Sequence, residues 1–429
     1  MSDVVTLERK GAIAVVTVNN PPVNALGIAV REGLQNSFKA AEADPEVKAI
    51  VLVCEGSTFI AGADIKEFGK PPQAPSLPDV VNGIEAGSKP SVAVIHGTAL
   101  GGGLEVAVSC HYRIARKDAK VGLPEVKLGL LPGGGGTQRL PRLIGIQPSL
   151  PLILEGKELT AEKAKQQGII HEVVETADEM FAQARAWISA NPKAAQPWDD
   201  KKFKWPGGDS KSPANGQMWS IAPSMASAKS FGNYPAITNI MSCVFEGGIT
   251  DFDTGCRVES RYFAELVVSQ VSKNMIGTLW FQLNAINKGG SRPEGVERAK
   301  VTKLGILGAG MMGAGIAYAA AKVGISVVLL DAKQDAADKG KGYSEGLLDK
   351  ALKKGRGTHE AKAEMLARIT PTTDYALLKG CDLVIEAVFE DRSIKADVTR
   401  KAEAVLDKRA VFASNTSTLP ITGLATASA

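Results

Sequence analysis

Lys303-Leu-Gly-Ile-Leu307-Gly308-Ala-Gly310-Met-Met-Gly313 is the stretch from which the rest of the chain can be read. Lys303 to Leu307 is a short apolar strand, Gly308 to Gly313 a tight turn, 314–322 a helix, and Val327 to Leu330 a second strand that closes on Asp331. Asp331 follows Gly308 by 23 residues. GxGxxG is weak alone, but flanked by strand, helix and a distal acid it is the full dinucleotide fingerprint. Gly308 permits the turn, Gly310 lets a pyrophosphate touch the backbone, and Gly313 lets the helix pack closely. The free N–H groups at the helix start face the phosphates. Asp331 accepts hydrogen bonds from an adenosine ribose, which favours NAD over NADP, whose 2'-phosphate meets a like charge. FAD, or a relic of the fold that binds nothing, are the alternatives.

Toward the C-terminus, helices at 333–355 and 358–369, a strand at 382–386, a helix at 392–406 and a strand at 410–413 complete a Rossmann unit over 300–429. Ala387-Val-Phe-Glu390 and Ser414-Asn-Thr-Ser417 follow strands whose C-terminal ends approach the same crevice. The Gly308–Gly313 loop, Ile385–Glu390 and Phe412–Pro420 together resemble the nucleotide-binding domain of 3-hydroxyacyl-CoA dehydrogenases. The resemblance implies that Gly308, Gly310, Met312, Gly313, Asp331, Val388, Glu390, Lys395 and Ser417 line the NAD and nearby substrate site. Locally, Ser417 reads equally well as a turn or cap residue. The resemblance also implies a basic histidine roughly 20 residues beyond the second serine of SNTS, but the sequence stops at Ala429, 12 residues past Ser417. His359 matches no catalytic position. The expectation is therefore a C-terminally truncated dehydrogenase unit that binds NAD without turnover.

Toward the N-terminus, Lys288-Gly-Gly-Ser-Arg-Pro293 opposes helix continuation and sets a linker at 287–299, the alternative being a surface loop inside one larger domain. Before it, 191–286 reads as a helical extension, with an irregular crossing at Asn191–Pro213 and one long helix at Tyr262–Ile286. Residues 1–190 read as an α/β layered domain, with strands at Val4–Arg9, Ile13–Asn19, Ala49–Cys54 and Ser91–Ile95 and helices at 27–44 and 161–168.

Within that domain, Gly101-Gly-Gly103 opens an apolar stretch to Cys110, so a helix N-terminus points toward a developing anion. Glu105 lies in its first turn and Glu125 in a later glycine-flanked loop. Two carboxylates in one pocket could divide water activation and proton transfer, though their spacing alone does not bring them together. Read without context, Glu105 stabilises its helix and Glu125 faces solvent. His96 and His111 read as packed or hydrogen-bonded rather than catalytic.

PPVNAL at 21–26, AGAD at 61–64, GTALGGGLE at 97–105 and PEVKLGLLPGGGGTQRLPR at 124–142 resemble the enoyl-CoA hydratase/isomerase, or crotonase, superfamily, whose fold is a spiral ββα domain. The resemblance implies an oxyanion hole from the backbone N–H groups of Ala63 and Gly102, substrate contacts at Ala25, Leu26, Ala61 and Ile65, proton delivery to C2 by Glu125 and water activation by Glu105. Joined with the dehydrogenase likeness, the order of units resembles the peroxisomal-type multifunctional enzymes of fatty-acid β-oxidation. That implies hydration of trans-2-enoyl-CoA, with isomerisation of 3-enoyl-CoA by the same site. Other crotonase chemistry, such as thioester hydrolysis, and a non-catalytic acyl-CoA or NAD-binding fragment are the competing readings.

Composition narrows the partners. Of 429 residues, 50 are Lys or Arg and 46 Asp or Glu, so a formal net charge of +4 asks for neither nucleic acid nor an anionic membrane surface. Five scattered cysteines form no CxxC, which fits a reducing compartment and gives no reason to expect a metal. No basic and apolar leader opens the chain, and no apolar run is long enough for a membrane span. The partners expected are acyl-CoA thioesters, on a monomer, in a peroxisome or in bacterial cytoplasm.

Overall fold

The structure is a computed structural model that describes residues 4–295 and 299–429; residues 1–3 of the expected 1–190 domain and 296–298 of the expected linker lie outside the described residues. The chain divides into two compact units, Met1–Ser291 and Arg292–Ala429.

The first unit is built on a six-stranded sheet in the order β1-β2-β3-β4-β6-β9. Its strands are β1 (Val5–Lys10), β2 (Ile13–Val18), β3 (Ala49–Cys54), β4 (Ser91–Ile95), β6 (Tyr112–Arg116) and β9 (Glu172–Val174). β1 and β2 pair antiparallel, and the other neighbours are parallel. Parallel strands covered on both faces need apolar residues at consecutive positions, which is what AIVLVC in β3 and SVAVI in β4 supply. Alternation divides them: Ile50, Leu52, Ala93 and Ile95 face the larger core, while Val51, Val92 and Val94 face a smaller one with Met180 and Ala184.

A second, three-stranded sheet in the order β5-β7-β8 comprises β5 (Thr98–Leu100), β7 (Lys120–Gly122) and β8 (Glu158–Thr160). The chain steps from β4 in the large sheet to β5 in the small one and then into the helix Gly102–Ser109, and from β6 to β7 in the same way. This strand, strand, helix spiral is the crotonase fold expected from the motifs. It brings the glycine-rich exit of β5 to the inner face of the unit. The three residues of each small strand were too few for periodicity to reveal them.

One expectation is corrected here. Tyr262–Ile286 is not a single helix: one helix, Phe252–Val268, ends at Ser269, whose backbone is extended (ψ 148°) and whose side chain caps the next helix, Gln270–Met275. That helix runs on through a wide π turn, Ile276–Gln282, to Asn287. Serine competes for local backbone groups in this way, and hydrophobic spacing alone does not register the break. Leu266 and Ile276 are buried, whereas Leu279, Phe281, Leu283 and Ile286 are exposed.

The second unit is a wholly parallel five-stranded sheet in the order β12-β11-β10-β13-β14. Its strands are β10 (Lys303–Leu307), β11 (Ser326–Leu330), β12 (Ile369–Thr372), β13 (Leu383–Glu386) and β14 (Val411–Ser414). This is the Rossmann arrangement, with order reversing between β10 and β13, where ligands bind at the carboxyl ends of the strands. The helix after β10 starts at Met311, three residues before the expected 314. Among the described residues no helix is long and apolar enough to cross a membrane, and no group of three or more His, Cys, Asp or Glu could hold a metal ion.

Candidate active site

In the first unit the helix Gly102–Ser109 is the organising element. Its entry residue, Gly101, adopts φ 54°, ψ −129°, a conformation that L side chains avoid. A Cβ there would stand 2.7 Å from Oε1 of Glu125. Gly102 is the first helical residue, so its N–H has no intrahelical acceptor. A Cβ on Gly102 would lie 2.9 Å from Leu26 Cδ1, 3.0 Å from Leu77 Cδ2 and 3.6 Å from the amide nitrogen of Ala63. Gly103 is tighter still, its Cβ position falling 2.1 Å from the carbonyl oxygen of Ile60.

Ala63 reaches this point because its segment bridges in parallel to Leu26, the Leu26 N–H donating to the Gly62 carbonyl at 2.9 Å. The Ala61 N–H donates to the Val23 carbonyl at 3.1 Å. Leu26 is buried, Ala25 and Ile65 are half-buried, and Ala61 is exposed. The amides of Ala63 and Gly102, the apolar side chains of Leu26 and Leu77, and two glutamates thus meet in one place.

Glu105 is fully buried and accepts hydrogen bonds on Oε1 from the N–H groups of Gly134 at 2.7 Å and Gly136 at 2.8 Å. Burial pushes its carboxyl up, while these two amides and the charge of Arg139 pull it back. In Glu125 the downward pull comes from its own backbone N–H. Although part of the residue is accessible, its Oε2 is enclosed and has no hydrogen-bond partner. Burial, then the neighbouring charges of Glu105 and Glu259, hold its carboxyl well above the usual carboxylate range. The two acids are therefore unequal: two amides of the glycine turn solvate Glu105, whereas burial and like charge raise Glu125 well above the usual range.

Three participants in this frame escaped the sequence reading. Glu259, on the helix Phe252–Val268, is fully buried and accepts from the N–H of Gly135 at 2.5 Å, the N–H of Thr137 at 2.9 Å and the Thr137 hydroxyl. Arg139, also fully buried, donates to the Gly134 carbonyl at 2.8 Å, to Asn82 Oδ1 at 2.8 Å and to Glu85. Glu85 in turn accepts from Trp198 Nε1 at 2.6 Å. A signal for Glu259 was present: Gly255, Glu259 and Leu266 share one buried stripe, so an acid interrupts an inward-facing helical face. A helix taken to begin at Tyr262 leaves it out.

His111 and His96 sit as packed residues. The Ser91 N–H donates to His111 Nδ1 at 3.1 Å, and His96 Nε2 lies 3.0 Å from the Gly56 carbonyl.

In the second unit Gly308 has φ 98°, and a Cβ on it would meet the Ala387 carbonyl oxygen at 2.6 Å; one on Gly313 would meet the Gly308 carbonyl oxygen at 1.8 Å. Gly310 differs, with nothing within 4 Å of the same position. That open space at a helix start is what an approaching pyrophosphate needs. Asp331 accepts from the Ala309 N–H at 2.7 Å and the Ala332 N–H at 2.8 Å, which fixes its carboxylate beside the glycine loop. Met312 is exposed. Val388 is half-buried, its N–H donating to Glu386 at 2.8 Å.

Glu390 accepts from the Thr416 hydroxyl at 2.5 Å and the Ser417 N–H at 3.1 Å. The Thr416 bond first, and then Lys395, hold its carboxyl down to about 2. Lys395 is buried rather than open to a ligand: its ammonium donates to both oxygens of Glu386, at 2.8 and 3.0 Å, and pairs with Glu390 at 3.1 Å. His359 is exposed at the start of the helix His359–Ala367.

Residues 8–197 match the enoyl-CoA hydratase/isomerase family, and residues 303–429 match the family described as 3-hydroxyacyl-CoA dehydrogenase, NAD binding domain. Over 432 residues the chain is 35% identical to the fatty acid oxidation complex subunit alpha of a Shewanella species, covering 98% of this chain and 61% of that protein. It is 34% identical over 417 residues to the peroxisomal fatty acid beta-oxidation multifunctional protein of Oryza sativa subsp. japonica, covering 95% of this chain and 57% of that protein. A crystal structure of an enoyl-CoA hydratase/isomerase from Pseudoalteromonas atlantica is similar with a TM-score of 0.48 at 21% identity, covering 65% of this chain and 97% of that one. The chain thus spans about three-fifths of the length of such curated relatives.

Proposed function

We propose that this chain, in which an enoyl-CoA hydratase/isomerase unit precedes the NAD-binding domain of a 3-hydroxyacyl-CoA dehydrogenase, hydrates trans-2-enoyl-CoA to 3-hydroxyacyl-CoA in fatty-acid β-oxidation. The observation that carries the reading is the unequal pair of glutamates beside two backbone amides: Glu105 solvated by Gly134 and Gly136, and Glu125 with an enclosed, unpartnered oxygen.

In this mechanism the N–H groups of Ala63 and Gly102 donate to the thioester oxygen and take up the negative charge that gathers there as the enolate forms. Glu105, the better solvated carboxylate, accepts a proton from water as the water oxygen bonds to C3. Glu125, whose affinity for its proton is raised by burial and like charge, delivers a proton to C2. One proton enters Glu105 and one leaves Glu125, and proton exchange restores both before the next turnover. Ala25, Leu26, Ala61 and Ile65 border the CoA and acyl portions of the substrate. With a 3-enoyl-CoA, Glu125 in its ionised form takes a proton from C2 and returns it to C4, which is isomerisation.

The second unit binds NAD. Gly308, Gly310 and Gly313 shape the loop, Gly310 admits the pyrophosphate, and Asp331 receives the adenosine ribose. Met312, Val388, Glu390 and Ser417 border the crevice, and Lys395 acts behind them by fixing Glu386 and Glu390. NAD supplies a hydride acceptor when bound. In solution the chain is a monomer, and its compartment is the peroxisome, or the cytoplasm of a bacterium.

Product analysis after incubation with trans-2-enoyl-CoA tests the main reading. 3-Hydroxyacyl-CoA that forms with the native chain and not with Glu125→Gln supports it. Free CoA instead points to thioester hydrolysis, and a folded chain that binds acyl-CoA without converting it is a binding fragment.

A further inference from the structure

The turn Gly133-Gly-Gly-Gly136 and the residue after it present four successive N–H groups, and they are divided between two acids. Those of Gly134 and Gly136 go to Glu105, and those of Gly135 and Thr137 to Glu259. Arg139 holds the same turn by a carbonyl, that of Gly134. Glycine is needed for this division, since Gly135 sits at φ 86° and a Cβ on Gly134 or Gly136 would stand 2.8 Å from an oxygen of Glu105.

We infer that Glu259 is a positioning residue for hydration: by anchoring the odd amides of the turn it aims the even ones, and so fixes the carboxylate of Glu105. The inference rests on the proposed hydratase reading. Glu259 is bonded to Gly135 and Thr137, so its path to the chemistry runs through the turn. The Thr137 hydroxyl is the second clamp on that path, donating to Glu259 Oε2 while lying 3.1 Å from Cys243 Sγ. Serine can keep this hydroxyl bond, and valine cannot although it fills nearly the same space.

The acid matters as well as the shape. A glutamine at 259 keeps one accepting oxygen but turns an NH2 toward backbone donors, so one of the two odd amides loses its partner inside the protein. The turn then relaxes toward Glu105, whose aim governs the attacking water, whereas thioester binding at Ala63 and Gly102 is retained.

The test measures hydration of trans-2-enoyl-CoA and isomerisation of 3-enoyl-CoA, per folded protein, for the full chain and for Glu259→Gln, Thr137→Val and Thr137→Ser. Expected are a tenfold or larger fall in hydration kcat for Glu259→Gln and a smaller fall for Thr137→Val. KM should stay within about twofold and isomerisation should fall less than hydration, with Thr137→Ser near the native rate. Parallel loss of both activities, or native hydration in folded Thr137→Val, overturns the positioning role, and Thr137→Val decides the matter if Glu259→Gln fails to fold. A native chain that hydrates nothing overturns the functional reading itself.

Discussion

Two glycine turns, one in each unit, put similar sequence to opposite use. In Gly133–Gly136 the amides are consumed internally by buried carboxylates that the fold itself supplies, Glu105 and Glu259. In Gly308–Gly313 the first and last glycines are jammed against backbone, but Gly310 opens onto empty space. A Gly-rich turn therefore says only that backbone comes close to something. The charge the tertiary structure places nearby decides whether that something is the protein or a ligand.

The comparison breaks most visibly at Glu125. Replacing it with Gln should lower hydration by about 10³-fold, the usual worth of a positioned acid or base, while leaving NAD affinity unchanged in titration calorimetry. A residual rate near the native one would remove Glu125 from the chemistry. The converse change, Gly313→Val, drives side-chain atoms into the Gly308 carbonyl. It should destabilise the nucleotide unit by about 3 kcal/mol and abolish NAD binding, with hydration in the first unit retained; equal loss in both units would show that their stabilities are not separable.

A smaller effect is expected at Asp331, where Ala should weaken NAD roughly tenfold and narrow the preference over NADP, because the ribose loses its acceptor and the 2'-phosphate its repulsion. Unchanged affinity would leave this acid only a loop anchor, through the Ala309 and Ala332 N–H groups.

The smallest effect sharpens the contrast in charge. Glu125 is held well above its ordinary range, chiefly by burial. Groups with raised values in the folded state bind protons more tightly there, so their contribution is complete below the ordinary carboxylate range and lost as pH rises through the folded values. The thermal midpoint of the first unit should therefore decline as pH rises above roughly 4.3, the ordinary glutamate value, and less steeply in Glu125→Gln. A native slope in that variant would mean Glu125 is not among the acids protonated in the fold.

In the Rossmann unit β10, β11, β13 and β14 were legible as short, largely apolar runs, whereas β12, ITPT with a proline inside it, was not; in the large sheet β1 to β4 were legible, and β6 and β9 were not. The small sheet was not, since three-residue strands have no period, and neither was the break at Ser269, where one side-chain cap outweighs a continuous apolar spacing. At the site, the positions of Glu105, Glu125, Ala63 and Gly102 were legible only through motifs matched as a set. Lys395 was legible as a residue of the nucleotide region but not as a buried partner of Glu386.

By itself, then, the sequence determined the two units, the glycines that the backbone requires and the residue types able to do the chemistry, because helix and strand periodicity and turn stereochemistry are local. The inequality of the Glu105 and Glu125 carboxyls, and the sharing of one glycine turn between Glu105 and Glu259, were decided by tertiary structure alone. A carboxyl's proton affinity depends on burial and on charges brought from distant segments: Glu259 reaches Gly135 across 124 residues of chain, and no local pattern encodes that meeting.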